Sequence, residues 1–264
     1  MKKISPLLSA LIFIIISSCS GDDSSSDSGN NLVLPKTITM TFPDFPSDNS
    51  KDVITYDGNK ILTSVDENSK TVFTYDGNFI VKQVKFEIDN SGKEVKDVEV
   101  SYIYENGKLK IRTLKEEFST EYPNGQYVYK TVYKYISDNQ VSYIYYYVDP
   151  NTKNETKQSE GTLSYKDGNL VKQEDISTQY NETRTYEYDN KNNPLKKILG
   201  LNLLLNETGW NNNNVVKTTR VNSTFQSPSV YVSDYIYDDK GYPTKHTSFT
   251  SDGKKIEYVT EYTY

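Results

Sequence analysis

The sequence predicts an all-β fold: a long antiparallel meander of repeated hairpins forming a curved sheet or open barrel, with one short helical insertion near 195–205. Three observations carry this. A turn phrase recurs along the chain, strand-forming residues alternate with period two between its copies, and tyrosine supplies 24 of the 264 residues against 9 Phe and 1 Trp. Tyr75-Asp76-Gly77-Asn78 lies between Thr71-Val72-Phe73-Thr74 and Phe79-Ile80-Val81, so its Asp-Gly pair reads as the tight turn of a hairpin. The phrase returns as Tyr56-Asp57-Gly58-Asn59, Tyr104-Glu105-Asn106-Gly107, Lys166-Asp167-Gly168-Asn169, Tyr188-Asp189-Asn190-Lys191 and Tyr237-Asp238-Asp239-Lys240-Gly241. Copies lie roughly 20 to 30 residues apart, one hairpin plus its return, as in an architecture built from one supersecondary unit.

The chain opens on Met1-Lys2-Lys3 and an apolar run from Leu7 to Ile16. That run is too short to span a bilayer, and its basic start and small-residue exit match a secretory leader over 1–18. The exit, Ile16-Ser17-Ser18-Cys19, places the chain's one cysteine where lipoprotein processing needs it. Cys19 is therefore the expected acylation site, and a single cysteine excludes an internal disulfide framework. Residues 19–35 follow as an acylated cysteine and flexible tether, because Ser20 to Asn31 is polar, acidic and rich in Ser and Gly.

The repeat domain is expected over 36–264, and one pattern throughout argues for a single domain. Lys36 to Phe42 alternates with period two until Pro43 and Pro46 break it. Strands follow at about 52–57, 60–66, 70–76, 79–89, 93–105, 108–118, 125–137, 140–149, 156–167, 169–180, 182–189, 214–225, 229–238, 243–250 and 254–264. Short connections make sequence neighbours antiparallel neighbours in space. Tyrosines at i, i+2, such as Tyr133/Tyr135 and Tyr143/Tyr145/Tyr147, share one face of their strands. The opposite face is mixed: Val128, Lys130, Val132, Lys134 and Ile136 in one strand. One segment departs from the β pattern. Leu195 to Leu205, entered after Pro194, carries apolar residues that fit a buried short helix or a compact loop, enough to plug one end of the sheet, and it ends at Trp210 and the run Asn211 to Asn214.

The Tyr-Asp-Gly-Asn and Tyr-Asp-Asn-Lys turns resemble the Tyr-Asp repeats of the Rhs family. Together with the Ile16 to Cys19 exit and the phrase Tyr188 to Pro194 before an apolar insertion, they are similar to uncharacterised surface lipoproteins of the Bacteroidota. The acidic pair Asp22-Asp23 behind the cysteine resembles the tag that sends such lipoproteins to the outer face of the outer membrane. The resemblance implies a lipid anchor and a cell-surface location. It carries over no catalytic residues, because its motifs are turn chemistry.

Chemistry-bearing motifs are scarce. His246, the one histidine, sits in Thr244-Lys245-His246-Thr247-Ser248 and reads as a surface strand residue. No P-loop, dinucleotide fingerprint or nucleophile elbow is present. One His and one acylated Cys exclude the usual zinc sites, and the Asp-rich loops lack a closing bidentate acid for calcium. The formal charge of −6 becomes −8 when Lys2 and Lys3 leave with the leader; both signs alternate along the strands, so nucleic acid is not an expected partner. A transmembrane barrel needs an outward apolar band, and neither face of 93–104 is one. The expectation is thus a lipid-anchored outer-membrane protein without catalysis or cofactor, in a binding or scaffolding role. Its partners would be the membrane, through the anchor, and a glycan or another envelope protein, with Trp210 as a candidate stacking residue. The rival classes are a hydrolase of extracellular polymer and a purely structural envelope component.

Overall fold

The computed structural model describes residues 32–224 and 227–264. The leader, Cys19 and most of the tether lie outside the described residues. Val33 and Pro35 are buried and Leu34 packs against the core, so the packed chain begins before the expected boundary at Lys36.

The described chain forms sixteen strands: β1 (Thr37–Thr41), β2 (Ser50–Asp57), β3 (Lys60–Val65), β4 (Ser69–Asp76), β5 (Phe79–Ile88), β6 (Glu94–Glu105), β7 (Lys108–Glu116) and β8 (Tyr127–Ser137) in the first half. The second half holds β9 (Gln140–Val148), β10 (Glu155–Lys166), β11 (Asn169–Ser177), β12 (Asn181–Tyr188), β13 (Val215–Asn222), β14 (Ser229–Tyr237), β15 (Pro243–Phe249) and β16 (Ile256–Thr263). Each pairs antiparallel with the next, and β1 pairs with β16, so the sheet closes into a barrel. The all-β meander expected from the sequence is what forms, and its curvature runs to closure.

Two ends of the barrel differ in their connections. At the turn end lie the Tyr-Asp phrases, the start of β1 and the end of β16, where the Lys36 amide donates to the Thr263 carbonyl at 2.7 Å. Each hairpin here carries a register shift beside the turn: between Thr74 and Tyr75 in one, Ile103 and Tyr104 in another, and Ser164 and Tyr165 in a third, the pairing steps by a residue. Such bulges sharpen the local twist and let the wall curve. Asp167 and Gly168, both at positive φ, form one of these tight turns.

Residues opposite one another across a strand pair share a face. From the register, Tyr127, Tyr129, Thr131, Tyr133 and Tyr135 of β8 point inward with Leu114, Arg112 and the Tyr147, Tyr145 and Tyr143 of β9. The tyrosine face is the lumen face. The outward face of the same strand is Val128, Lys130, Val132, Lys134 and Ile136.

A wall of sixteen strands is wide enough to leave a channel unless something fills it. The filler is the segment between β12 and β13. It contains one 3₁₀ turn, Leu201–Leu203, entered through Gly200 at φ 83°, with bends and turns around it. Ile198, Leu201 and Leu204 are buried in one cluster with inward residues of the wall, including Ile61, Ile80, Leu109, Leu163 and Leu170. The core of the protein is therefore a plug inside the turn end.

Candidate functional site

At the turn end, the tyrosine of each phrase faces the aliphatic residue that follows the turn: Tyr56 opposes Ile61, Tyr75 opposes Ile80, and Tyr104 opposes Leu109. Their hydroxyls then cross to the neighbouring hairpin. Tyr104 Oη donates to the Ile80 carbonyl at 2.8 Å and Tyr188 Oη to the Leu170 carbonyl at 2.6 Å, and Tyr235, two residues before the phrase tyrosine Tyr237, does the same to the Val215 carbonyl at 2.9 Å. Tyr75 Oη reaches the plug itself, donating to the Leu199 carbonyl at 3.0 Å. A buried tyrosine needs a partner for its hydroxyl, and backbone carbonyls on the inner wall supply it. The repeated tyrosine is thus a clamp between hairpins as well as a core residue.

Asparagines complete the closure. Asn169 Oδ1 accepts from the Asn213 amide at 3.0 Å, Asn211 Oδ1 accepts from the Leu170 amide at 2.9 Å, and Asn212 Nδ2 donates to the Asp167 carbonyl at 2.8 Å. Asn214 is fully buried and binds Asp189 and the Asn192 carbonyl. The run Asn211 to Asn214, which reads in sequence as the end of the apolar segment, staples the plug to the turns of β10–β11 and β12.

Below the plug, the lumen turns polar. Glu207, at the tip of the insertion, accepts from Tyr133 Oη at 2.9 Å and pairs with Arg112 of β7, whose Nε lies 2.7 Å from Glu207 Oε2. Burial, and next the Glu207 carboxylate, push the Tyr133 hydroxyl far above the ordinary tyrosine range. On the facing strands, Asp175 accepts from Tyr143 Oη and from Gln173 Nε2, the latter at 2.9 Å. Tyr143 reaches Asp175 by passing over Gly161, which lies between them in register; a Cβ there would strike the Tyr143 ring. These groups, with Asn206, line a cavity of about 220 Å³. Farther along the wall, Glu182 is buried between Arg184, Arg220 and Asn222. Burial opposes its ionisation, but hydrogen bonds from Asn222 and Arg220 and the Arg184 charge outweigh it and hold the carboxyl below its ordinary range.

A second cavity of about 310 Å³ lies across the plug, lined by Met40, Leu195, Tyr235, His246, Tyr258 and others. His246 is 9% exposed, stacks on Tyr235 at 4.6 Å between ring centroids, and has Nε2 2.9 Å from Ser233 Oγ. This corrects the reading of His246 as a surface residue: its register partner is Tyr235, so it faces inward. Burial lowers its pKa from 6.5 to about 4.

Trp210 packs half-buried against the core cluster, with Nε1 donating to the Lys196 carbonyl at 3.4 Å, and it lines neither of these two cavities. Cys19 lies outside the described residues. Among the described residues no group of three or more His, Cys, Asp and Glu is placed to hold a metal ion. Sequence reasoning missed Arg112, Asp175 and Glu207. Parity along β7 and β11 signals that Arg112 and Asp175 point inward, but nothing local places Glu207 beside Arg112.

No family model and no curated protein matches this chain. Solved structures that share its fold include two porin-like proteins. A porin-like protein from Bacteroides vulgatus ATCC 8482 superposes with a TM-score of 0.62 at 13% identity, over 88% of this chain and 98% of that one. A porin-like protein from Bacteroides uniformis ATCC 8492 gives a TM-score of 0.51 at 10% identity, over 87% and 97%. At these identities the likeness shows the barrel architecture.

Proposed function

We propose that this chain is a lipid-anchored envelope protein whose barrel stands in water at the cell surface, and that it binds a small ligand in its lumen without catalysis. The observation that carries the reading is the outward face of the wall. Lys130 and Lys134 of β8, Glu99 of β6, Glu160 of β10, Glu174 of β11 and Asp234 of β14 all point outward along the strands. Outward ion pairs such as Lys217 with Glu187, at 2.7 Å, join neighbouring strands. A bilayer opposes this arrangement, since each Lys or Arg facing the lipid midplane costs about 2–4 kcal/mol. The likeness to porin-like proteins supports an envelope address, and the plug and the charged wall favour attachment through Cys19 over insertion of the strands.

The test is fractionation of Cys19→Ala. Each buried methylene of an acyl chain contributes about 0.8 kcal/mol to attachment, so losing the chains is expected to move the folded barrel wholly to the soluble fraction. Retention of the variant in membranes after an alkaline carbonate wash would mean that the barrel itself spans the bilayer.

A further inference from the structure

We infer that the lumenal cavity between Arg112 and Asp175 is a binding site for one neutral sugar ring. This rests on the reading of the barrel as a binder and deepens it by naming the site and the ligand class. Size comes first. About 220 Å³ is the liquid share of roughly seven waters, well beyond a structural water or two, yet below the roughly 300–1,000 Å³ of sites for drug-sized ligands.

Charge comes second. Arg112 is paired with Glu207, while Asp175 is held by Tyr143 and Gln173 and lies in register with Glu182, which carries Arg184 and Arg220. Counted over the cavity wall and this adjoining cluster, three positive and three negative groups balance, so the region has no net attraction for an anion or a cation. What it offers is hydrogen bonding of both senses: carboxylates that accept, a guanidinium that donates, and the amides of Gln173 and Asn206 with the hydroxyls of Thr131 and Ser159, which do both. Vicinal hydroxyls on a ring need that mixture, each being donor and acceptor at once.

One further observation points to a ligand. Tyr145 also lines the cavity, its ring backed by Tyr129 in a stack with centroids 5.5 Å apart and planes at 11°. A tyrosine held in this way presents a fixed apolar plane, suited to the C–H face of a pyranose. The cavity beside His246 is larger but lined mainly by Met40, Leu195 and aromatic rings, and a polyol there would leave hydroxyls unpaired at a cost for each.

The experiment is titration calorimetry on the full-length lipoprotein in a sugar-free detergent, with D-glucose, D-galactose, D-mannose and N-acetyl-D-glucosamine as neutral probes. D-glucuronate and D-glucosamine are the charged probes. The expected result is saturable binding of at least one neutral sugar, at least tenfold weaker for its charged analogue. Ser159→Phe, which fills the cavity from β10 without touching the Arg112–Glu207 pair, should abolish binding at an unchanged unfolding midpoint. Gln173→Leu should weaken it at least tenfold. Tightest binding of a charged probe would overturn the ligand class, and wild-type affinity in both variants would overturn the site. Absence of saturable binding by every probe would overturn the inference as a whole while leaving the Cys19 fractionation result to decide the anchored-barrel reading independently.

Discussion

The two ends of this barrel share one wall and one alternation of side chains, yet they differ in how the inner face is satisfied. At the turn end the tyrosines oppose aliphatic residues, the plug fills the lumen, and Ile80, Leu109, Leu163 and Leu204 lie at 0% exposure. Toward the far end the same inward positions hold Glu87, Val98, Glu116, Tyr127 and Ser177, none of them buried. Stability should therefore be concentrated at the closed end, while the inner face farther along remains wet enough to take a ligand. A closed wall by itself carries no core, and here the insertion between β12 and β13 supplies one.

The largest effect that could break this contrast is in the plug. Leu204→Ala removes a side chain with no exposure from the centre of the cluster and is expected to cost about 3–5 kcal/mol, since the surrounding clamps prevent collapse. Val98→Ala, at an inward but half-buried site of β6, should cost about 1 kcal/mol. Urea unfolding of both variants compares the ends directly, and equal losses would mean that the plug is not the core.

A second, smaller effect concerns His246 and its side of the lumen. Its neighbours Tyr235, Tyr258 and Ser233 carry no charge near neutrality, and burial alone depresses its pKa to about 4. The unfolded chain then binds the proton more readily than the folded one. Stability should be fully present above pH 6.5 and fall as pH drops toward 4, by up to on the order of 3 kcal/mol. His246→Phe keeps the ring stack and should flatten that part of the profile. An unchanged slope between pH 6.5 and 4 in the variant would place the titrating group elsewhere.

Much of the wall was legible because hairpin turns are local. Tyr75 to Asn78 carries its own instruction for reversal, and the expected strand bounds agree with the observed ones to within a few residues. Closure was not legible, because it depends on pairs such as Thr37 with Thr263, 226 residues apart, for which no local signal exists. The apolar insertion stood out by composition, with enough apolar content to plug one end of the sheet, and it does fill the lumen. The asparagines that fix it there were not legible, because they look like an ordinary polar exit. His246 was misread because Lys245 and Thr247 flank it; strand parity, counted from Tyr235, puts it inside. Arg112 and Glu207 meet only because the plug descends, so that part of the site is a product of the tertiary fold.

The smallest effect sharpens the comparison to a single turn at the closed end. Gly77 and Gly168 both hold positive φ, at 57° and 76°, and both turns close hairpins of the same wall. A Cβ on Gly77 would meet nothing within 4 Å, so Gly77→Ala should cost only the left-handed backbone penalty, about 1 kcal/mol. A Cβ on Gly168 would collide with the side-chain amide of Asn212. That amide donates to the Asp167 carbonyl at 2.8 Å, and the Asn212 backbone N–H donates to the Gly168 carbonyl at 3.3 Å, so the collision falls where the plug is stapled to the wall. Gly168→Ala should therefore add a lost hydrogen bond, about 1 kcal/mol, to the same backbone penalty and reach about 2 kcal/mol. Asn212→Gly in the Gly168→Ala background removes the obstructing amide. It should leave the difference between the two glycine sites close to zero when the double variant is referenced to Asn212→Gly alone. A difference that persists without Asn212 would mean that the two turns differ in their own backbones and that the staple contributes nothing.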